Sequence, residues 1–148
     1  MEYRFRPATA ADYDFLYWLH AATIREAVAA TWGWDEIFQR QRFRQHFDPD
    51  VQQIIVVDGK DVGVLKLEER PGEPFLSLIE IAPAYQGQGL GTRIIRDLLQ
   101  EVHGAGKALT LHVLKANPRA RALYERLGFT VVEEREERYV MCAPPPAQ

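Results

Sequence analysis

Between Ala84 and Leu99 the sequence AYQGQGLGTRIIRDLL sets Gly87, Gly89 and Gly91 at alternate positions, directly before an apolar-periodic run. Glycine there costs backbone entropy, and close access of a ligand to the main chain is what offsets it. The first backbone N–H groups of a helix have no partner inside it, and the helix dipole favours negative charge at that end. A strand, a glycine turn and a helix start in succession therefore make a site for a phosphate or pyrophosphate. Two common motifs are excluded by position. A G-x-G-x-x-G counted from Gly87 and Gly89 needs its third glycine at the place held by Thr92, and no Lys-Ser or Lys-Thr pair follows for a P-loop. A plain tight turn needs one glycine or two, not three at alternate positions.

A second stretch, NPRARALYERLGF, has a complete set of helix boundary signals. Asn117 is the cap, Pro118 takes the first helical position and Gly128 falls just past the end. Together the two stretches resemble the GNAT family of N-acetyltransferases. The family's acetyl-coenzyme A signature is Gln or Arg, two residues, Gly, one residue, then Gly or Ala, and Gln86, Gly89 and Gly91 stand at those positions. Its second motif, an Asn followed seven residues later by a Tyr and then a Gly-Phe, is matched by Asn117, Tyr124, Gly128 and Phe129. The resemblance covers residues 1–141 and is sharpest from Leu78 to Phe129.

The resemblance implies an acyltransferase that moves the acetyl group of acetyl-CoA directly to a primary amine in a ternary complex. The acceptor is a small molecule or a peptide. Acetyl-CoA is implied as the acetyl-donor cosubstrate, and no metal. Its pyrophosphate would rest on the amides of Gly87, Gln88, Gly89, Leu90, Gly91 and Thr92. Its pantetheine arm would pair with the main chain at Ile79 to Ile81, where the fourth and fifth strands splay. Gln86 belongs to the same signature, and Asn117 is both a helix cap and a cofactor contact. Tyr124 is the implied acid for the departing thiolate. The base is open between Glu80, His112 and water, with Glu80 ranked first; the other reading of His112 is a hydrogen-bonded, inert residue. A non-catalytic module that senses acetyl-CoA or CoA is the alternative from another class, and Tyr124 in register argues for the enzyme.

Relatives line the acceptor site with the first two helices and the loop between them, here TWGWDEIF (Thr31 to Phe38). Trp32 and Trp34 are expected as an apolar or cation-binding wall, and Asp35 and Glu36 as an attraction for an ammonium group. Against this, the tryptophans can simply cover a core and Asp35 can simply cap a helix.

The elements that must position these groups follow from periodicity. EYRFRPA alternates as a strand, with Tyr3 and Phe5 set against Arg4 and Arg6. Thr9 caps a helix over 10–30 whose stripe is Phe15, Leu16, Leu19, Ile24 and Val28. Asp35 caps a second helix that Pro49 ends. Strands at 51–57 and 61–69 flank an Asp-Gly hairpin turn. A strand at 74–82, a helix at 89–103, a strand at 107–113, a helix at 117–128 and a closing pair of strands complete the chain. The expected turn of that last pair is the run EEREER (Glu133 to Arg138). The order is β-α-α-β-β-β-α-β-α-β-β: an α/β (α+β) fold of GNAT type. About seven strands form a mixed, mostly antiparallel twisted sheet flanked by about four helices.

Composition sets outer limits. A chain of 148 residues with 47% hydrophobic and 26% charged residues has the balance of one globular domain, expected at 1–142, with a loose tail APPPAQ at 143–148. The net charge of −3 gives no basic footprint for nucleic acid, and the arginines of RQRFR (Arg40 to Arg44) read as a solvated helix face. A single cysteine, Cys142, forms no intrachain disulfide and suits a reducing compartment. No run approaches membrane-spanning length and no signal peptide is legible, so a cytoplasmic protein without membrane insertion is expected. His20, His46 and His103 are scattered without ligand spacing, and no metal site follows from them. The pattern is compatible with a homodimer.

Overall fold

The structure, a computed structural model, describes residues 1–147. Gln148, the last residue of the expected tail, lies outside the described residues. Seven strands hydrogen-bond in the order β1-β2-β3-β4-β5-β7-β6. They are β1 (Arg4–Pro7), β2 (Gln53–Val57), β3 (Lys60–Arg70), β4 (Glu73–Ile81), β5 (Leu109–Leu114), β6 (Thr130–Glu134) and β7 (Arg138–Ala143). Four helices accompany them: α1 (Tyr13–Trp32), α2 (Glu36–His46), α3 (Leu90–Gly104) and α4 (Pro118–Arg126). This is the element order expected from the sequence. The described residues form two compact units, one of residues 1–66 and 78–86, the other of residues 67–77 and 87–147.

In the first unit, antiparallel pairing joins β1 to β2 and β2 to β3. The β2–β3 turn is Asp58-Gly59 with both residues at positive φ, 51° and 76°. That matches the twist of the flanking strands and explains why Asp-Gly stands between two β-branched runs. Leu16, Leu19, Ile54, Val56 and Val64 form one core cluster, against which Phe15, Phe43 and Phe47 pack. The helix expected from residue 10 begins as a short 3-10 turn, Ala10–Asp12, and becomes α-helical at Tyr13. The reason is local: the Asp12 carboxylate accepts the Thr9 N–H at 2.8 Å and also pairs with Arg6, which holds Asp12 outside the α-helix. Arg6 reaches Asp61 as well, at 2.8 Å, and so ties β1 to β3.

In the second unit, β4 and β5 form the sheet's parallel ladder, registered at Phe75↔Thr110 and Leu76↔Leu111. β7 is the antiparallel partner of both β5 and β6. The charged run after Val132 is not all turn. Glu133 and Glu134 belong to β6 and Arg138 opens β7, because Arg138 pairs with Leu114 of β5. β7 also takes in Ala143, which is buried and accepts a hydrogen bond from His103 at 3.0 Å, so chain pairing continues one residue into the expected tail.

Gly63 of β3 is the position where the first unit tolerates no side chain. A Cβ there would lie 2.5 Å from the backbone oxygen of Glu80 and 3.0 Å from Ile55 Cδ1. The obstacle is backbone, which moves only with its strand. Gly63→Ala should therefore cost about 1–3 kcal/mol of unfolding free energy as an overpacking change. Denaturant titration reads this as a lower midpoint at unchanged slope, and an unaltered midpoint would show that β3 relaxes freely.

Candidate functional site

The helix starts differ in one respect that bears on chemistry. α2 and α4 have side-chain caps: Asp35 accepts the Phe38 N–H at 3.0 Å, and Asn117 accepts the Ala120 N–H at 3.3 Å. α3 has none, because its N-cap is Gly89, at φ 84°. Its first intrahelical bond runs from the Arg93 N–H to the Gly89 carbonyl at 3.0 Å. The amides of Leu90, Gly91 and Thr92 precede that bond and have no carbonyl partner within the helix. Gly87 is also left-handed, at φ 73°. A Cβ built on Gly87 or Gly89 meets no protein atom within 4 Å, so the positive φ, rather than crowding by the protein, selects glycine. Left-handed residues followed by right-handed N–H groups make a concave anion nest, reinforced by the helix dipole. The Leu90 side chain is buried, so only its main chain is available to a ligand, while Gln88 is exposed.

Gln86 turns the other way. Its amide donates to the Ile81 carbonyl at 2.8 Å and ties the turn to the end of β4. Ile79 and Ile81 flank Glu80 on that strand, both part-buried.

Glu80 is the buried carboxylate of the first unit, 5% exposed. It is not alone: Nδ1 of His20, from α1, lies 2.8 Å from its Oε2. The His20 ring packs on Phe43 of α2, with centroids 5.3 Å apart and planes 36° apart. Sequence reasoning set His20 aside as scattered. The available signal was a polar residue at the margin of an apolar helical stripe, four residues after Leu16 and one after Leu19.

In the second unit, His112 sits edge-on to Phe75 at 4.9 Å, and the Arg70 guanidinium lies 3.6 Å from the Phe75 ring centroid. Burial, then the charges of Arg135, Arg138 and Arg70, hold the imidazole below the ordinary histidine value. Burial and the net charge around it therefore favour the neutral imidazole, with Glu133 acting the other way.

Tyr124 is fixed by the way α4 ends. The Gly128 N–H bonds to the Glu125 carbonyl at 3.1 Å and the Phe129 N–H to the Tyr124 carbonyl at 3.0 Å, with Gly128 at φ 100°. This is a Schellman closure, and its usual apolar contact is the Tyr124–Phe129 ring pair, with centroids 5.7 Å apart. Phe129 is 1% exposed, so the Gly-Phe pair anchors the tyrosine to the core. Burial alone pushes the Tyr124 phenol up to about 12, so it stays protonated and able to donate across the neutral range.

The expected acceptor wall is dispersed. Trp32 is more than half exposed at the end of α1, and Asp35 is occupied as the cap of α2. Glu36 accepts from the Trp34 indole at 2.8 Å, the Arg40 guanidinium at 2.9 Å and the Tyr17 hydroxyl at 3.0 Å. Those donors, the indole foremost, hold its carboxyl below the usual range. Trp34 also carries Arg25 over its ring. A groove of about 340 Å³ does open on α1 and α2, but of the four expected residues only Glu36 lines it. Its other walls include Tyr13, Tyr17, Trp18, Arg25 and Arg40. Tyr17 belongs to the buried stripe and Tyr13 and Trp18 lie beside it, so all three read in sequence as ordinary amphipathic filling. Cys142 is part-buried inside β7, between Thr110 and Thr130. Among the described residues no group of three or more His, Cys, Asp or Glu is placed to hold a metal, and no helix is long and apolar enough to cross a membrane.

A sequence model described as the acetyltransferase (GNAT) family matches residues 13–129. Among curated relatives, mycothiol acetyltransferase of Corynebacterium glutamicum is 34% identical over 106 residues, which is 69% of this chain and 35% of that protein. The ribosomal protein bS18-alanine N-acetyltransferase of Escherichia coli is 41% identical over 68 residues, 45% of this chain and 46% of that protein. The chain thus spans less than half the length of these two relatives. In fold, it is similar to the PaiA N-acetyltransferase of Thermoplasma acidophilum, solved in complex with coenzyme A. The TM-score is 0.78 at 14% identity, covering 97% of this chain and 99% of that one.

The His112 surroundings carry a pH prediction. A histidine whose folded value is depressed contributes stability above the unfolded value of about 6.5, and that stability is lost as pH falls through and below it. Wild type should therefore lose more melting temperature than His112→Gln between pH 7.5 and 5, measured by thermal melts at about those two pH values. Parallel pH profiles would mean that the imidazole charges without penalty.

Proposed function

Because the chain belongs to the acetyltransferase (GNAT) family, we propose that it transfers the acetyl group of acetyl-CoA to a primary amine of a small molecule or peptide, directly and within a ternary complex. The observation that carries this reading is the start of α3. Whereas Asp35 and Asn117 cap α2 and α4 with their side chains, this helix begins with a left-handed glycine and leaves the Leu90, Gly91 and Thr92 amides for an anion. The pyrophosphate of coenzyme A is the anion proposed, with Gly87 to Thr92 holding it. Ile79 and Ile81 would pair with the pantetheine arm, and Asn117 would contact the cofactor as well as cap α4. The catalytic domain is residues 1–142, acting in the cytoplasm.

Acetyl-CoA supplies the thioester. An ammonium must lose a proton before its nitrogen attacks the thioester carbonyl, and the departing sulfur needs a proton or compensating charge. Tyr124 is proposed as the proton donor to sulfur: its phenol is neutral, its ring is anchored by Phe129, and its hydroxyl is its one transferable proton. On the acceptor side the ammonium proton is drawn toward Glu80. Three arginines oppose the protonation of His112, whereas Glu80 is a buried carboxylate with an imidazole at hydrogen-bond distance. A passive CoA sensor would need the glycine turn but not an anchored phenol, and Tyr124 supports the enzyme. For the acceptor, the aromatic groove on α1 and α2 supports a cationic or partly aromatic amine. The relatives' names extend from mycothiol to a ribosomal protein's alanine, so both small amines and peptide N-termini belong in the screen.

Calorimetric titration should show saturable binding of acetyl-CoA and CoA and none of ATP or NAD. Gly89→Val, which cannot hold φ 84° without strain, should weaken it at least about tenfold. No binding of either coenzyme A species would refute the reading. In a thiol-release assay over small amines and Ala-led peptides, Tyr124→Phe should lower kcat by about 10²–10⁴-fold with acetyl-CoA affinity nearly unchanged. Full turnover in that variant would remove Tyr124 as the acid.

A further inference from the structure

The carboxylate proposed to draw the proton is the more buried member of a pair. The Glu80 side chain is 4% exposed and that of His20 24%, with 2.8 Å between Oε2 and Nδ1. An ionised carboxylate in that setting needs a donor, and His20 Nδ1–H is the donor facing it. Occupying Nδ1 in this way fixes the tautomer and leaves the imidazole lone pair on Nε2. Among the described residues Nε2 has no hydrogen-bond partner. Phe43, stacked on the ring, fixes the plane in which that lone pair points.

Resting on the acyl-transfer reading, we infer that His20 Nε2 is the terminal acceptor of the amine's proton and that Glu80 is the positioning residue of a His20–Glu80 dyad. The alternative site for the proton, Glu80 itself, would discharge the carboxylate inside the protein and weaken its bond to His20. A proton on Nε2 instead creates an imidazolium beside an ionised carboxylate, on the member of the pair that reaches solvent. The step balances as follows. One proton passes from the substrate ammonium to Nε2, and the freed nitrogen lone pair forms the N–C bond at the thioester carbonyl. The C–S bond breaks with its electron pair going to sulfur, and sulfur takes the Tyr124 proton. The new amide nitrogen then sheds its second proton, which restores the tyrosinate, and the imidazolium releases its proton to solvent, so one proton leaves per turnover.

The test uses His20→Asn and His20→Ala in the intact chain. An asparagine amide placed at Nδ1 still donates to Glu80 but offers no lone pair in the place of Nε2. Thiol release is measured with the amine or Ala-led peptide that wild type uses best, and acetyl-CoA binding by calorimetry on the same samples. Both variants should lose about 10²–10⁴-fold in kcat, with acetyl-CoA affinity within about twofold of wild type. Added imidazole should restore part of the His20→Ala turnover and none of the His20→Asn turnover. Substantial turnover in His20→Asn would overturn the inference and leave His20 as a hydrogen-bond donor only. A kcat loss matched by loss of acetyl-CoA binding would overturn it in favour of a structural role. Failure of the acyl-transfer reading looks different: wild type itself would neither bind acetyl-CoA nor release thiol.

Discussion

A carboxylate taken out of water must be answered inside the protein, and in the first unit that requirement centres on Glu80. Leaving such a charge without a partner costs several kcal/mol, roughly the order of a small domain's whole stability. The answer comes from α1, which sets His20 at 2.8 Å, and from α2, which sets Phe43 against the imidazole. Those helices reach these places because Leu16 and Leu19 bury themselves with Ile54, Val56 and Val64 in one core cluster. Gly63 adds a steric condition, since any larger residue would press on the Glu80 carbonyl. Apolar packing thus supplies the alignment, and the buried charge makes that alignment specific.

In the second unit the helix ends set the candidate residues in place. Its two helices end or begin in opposite ways. α4 is sealed at both ends, by the Asn117 cap and by the Gly128-Phe129 closure, and the seal holds Tyr124. α3 is left open at its start by Gly89, which has the φ of a cap but no capping atom. Local helix-end chemistry therefore has two outcomes in one unit: an anchored phenol at the end of α4, and main-chain donors without helical partners at the start of α3. Neither outcome needs a metal or a titrating side chain.

Most of this second arrangement was legible in the sequence, because the interactions span five residues or fewer. Asn-Pro for a helix start and Gly-Phe for a helix end each act on their own neighbours, as Asp-Gly does at the hairpin turn of the first unit. The element order followed from the same signals. What went astray had longer reach or competing demands. The start of α1 moved because Asp12 pairs with Arg6, and the charged run before β7 joined the strands because β5 supplies partners for them. Of the expected acceptor residues, Asp35 caps α2 and Glu36 accepts from three donors, contacts that the sequence spacing alone did not show.

The sequence by itself determined the fold, the glycine-started helix and the anchored tyrosine, since hydrophobic period and cap chemistry are properties of short stretches. Only the tertiary structure decided that His20 answers Glu80, that β7 lies between β5 and β6, and that His112 is held neutral by burial and by the charges of three arginines. Sixty residues separate the imidazole from its carboxylate. No propensity or period links residues at that distance. Their meeting depends on which faces of α1 and β4 are buried together, and burial is settled by the packing of the core.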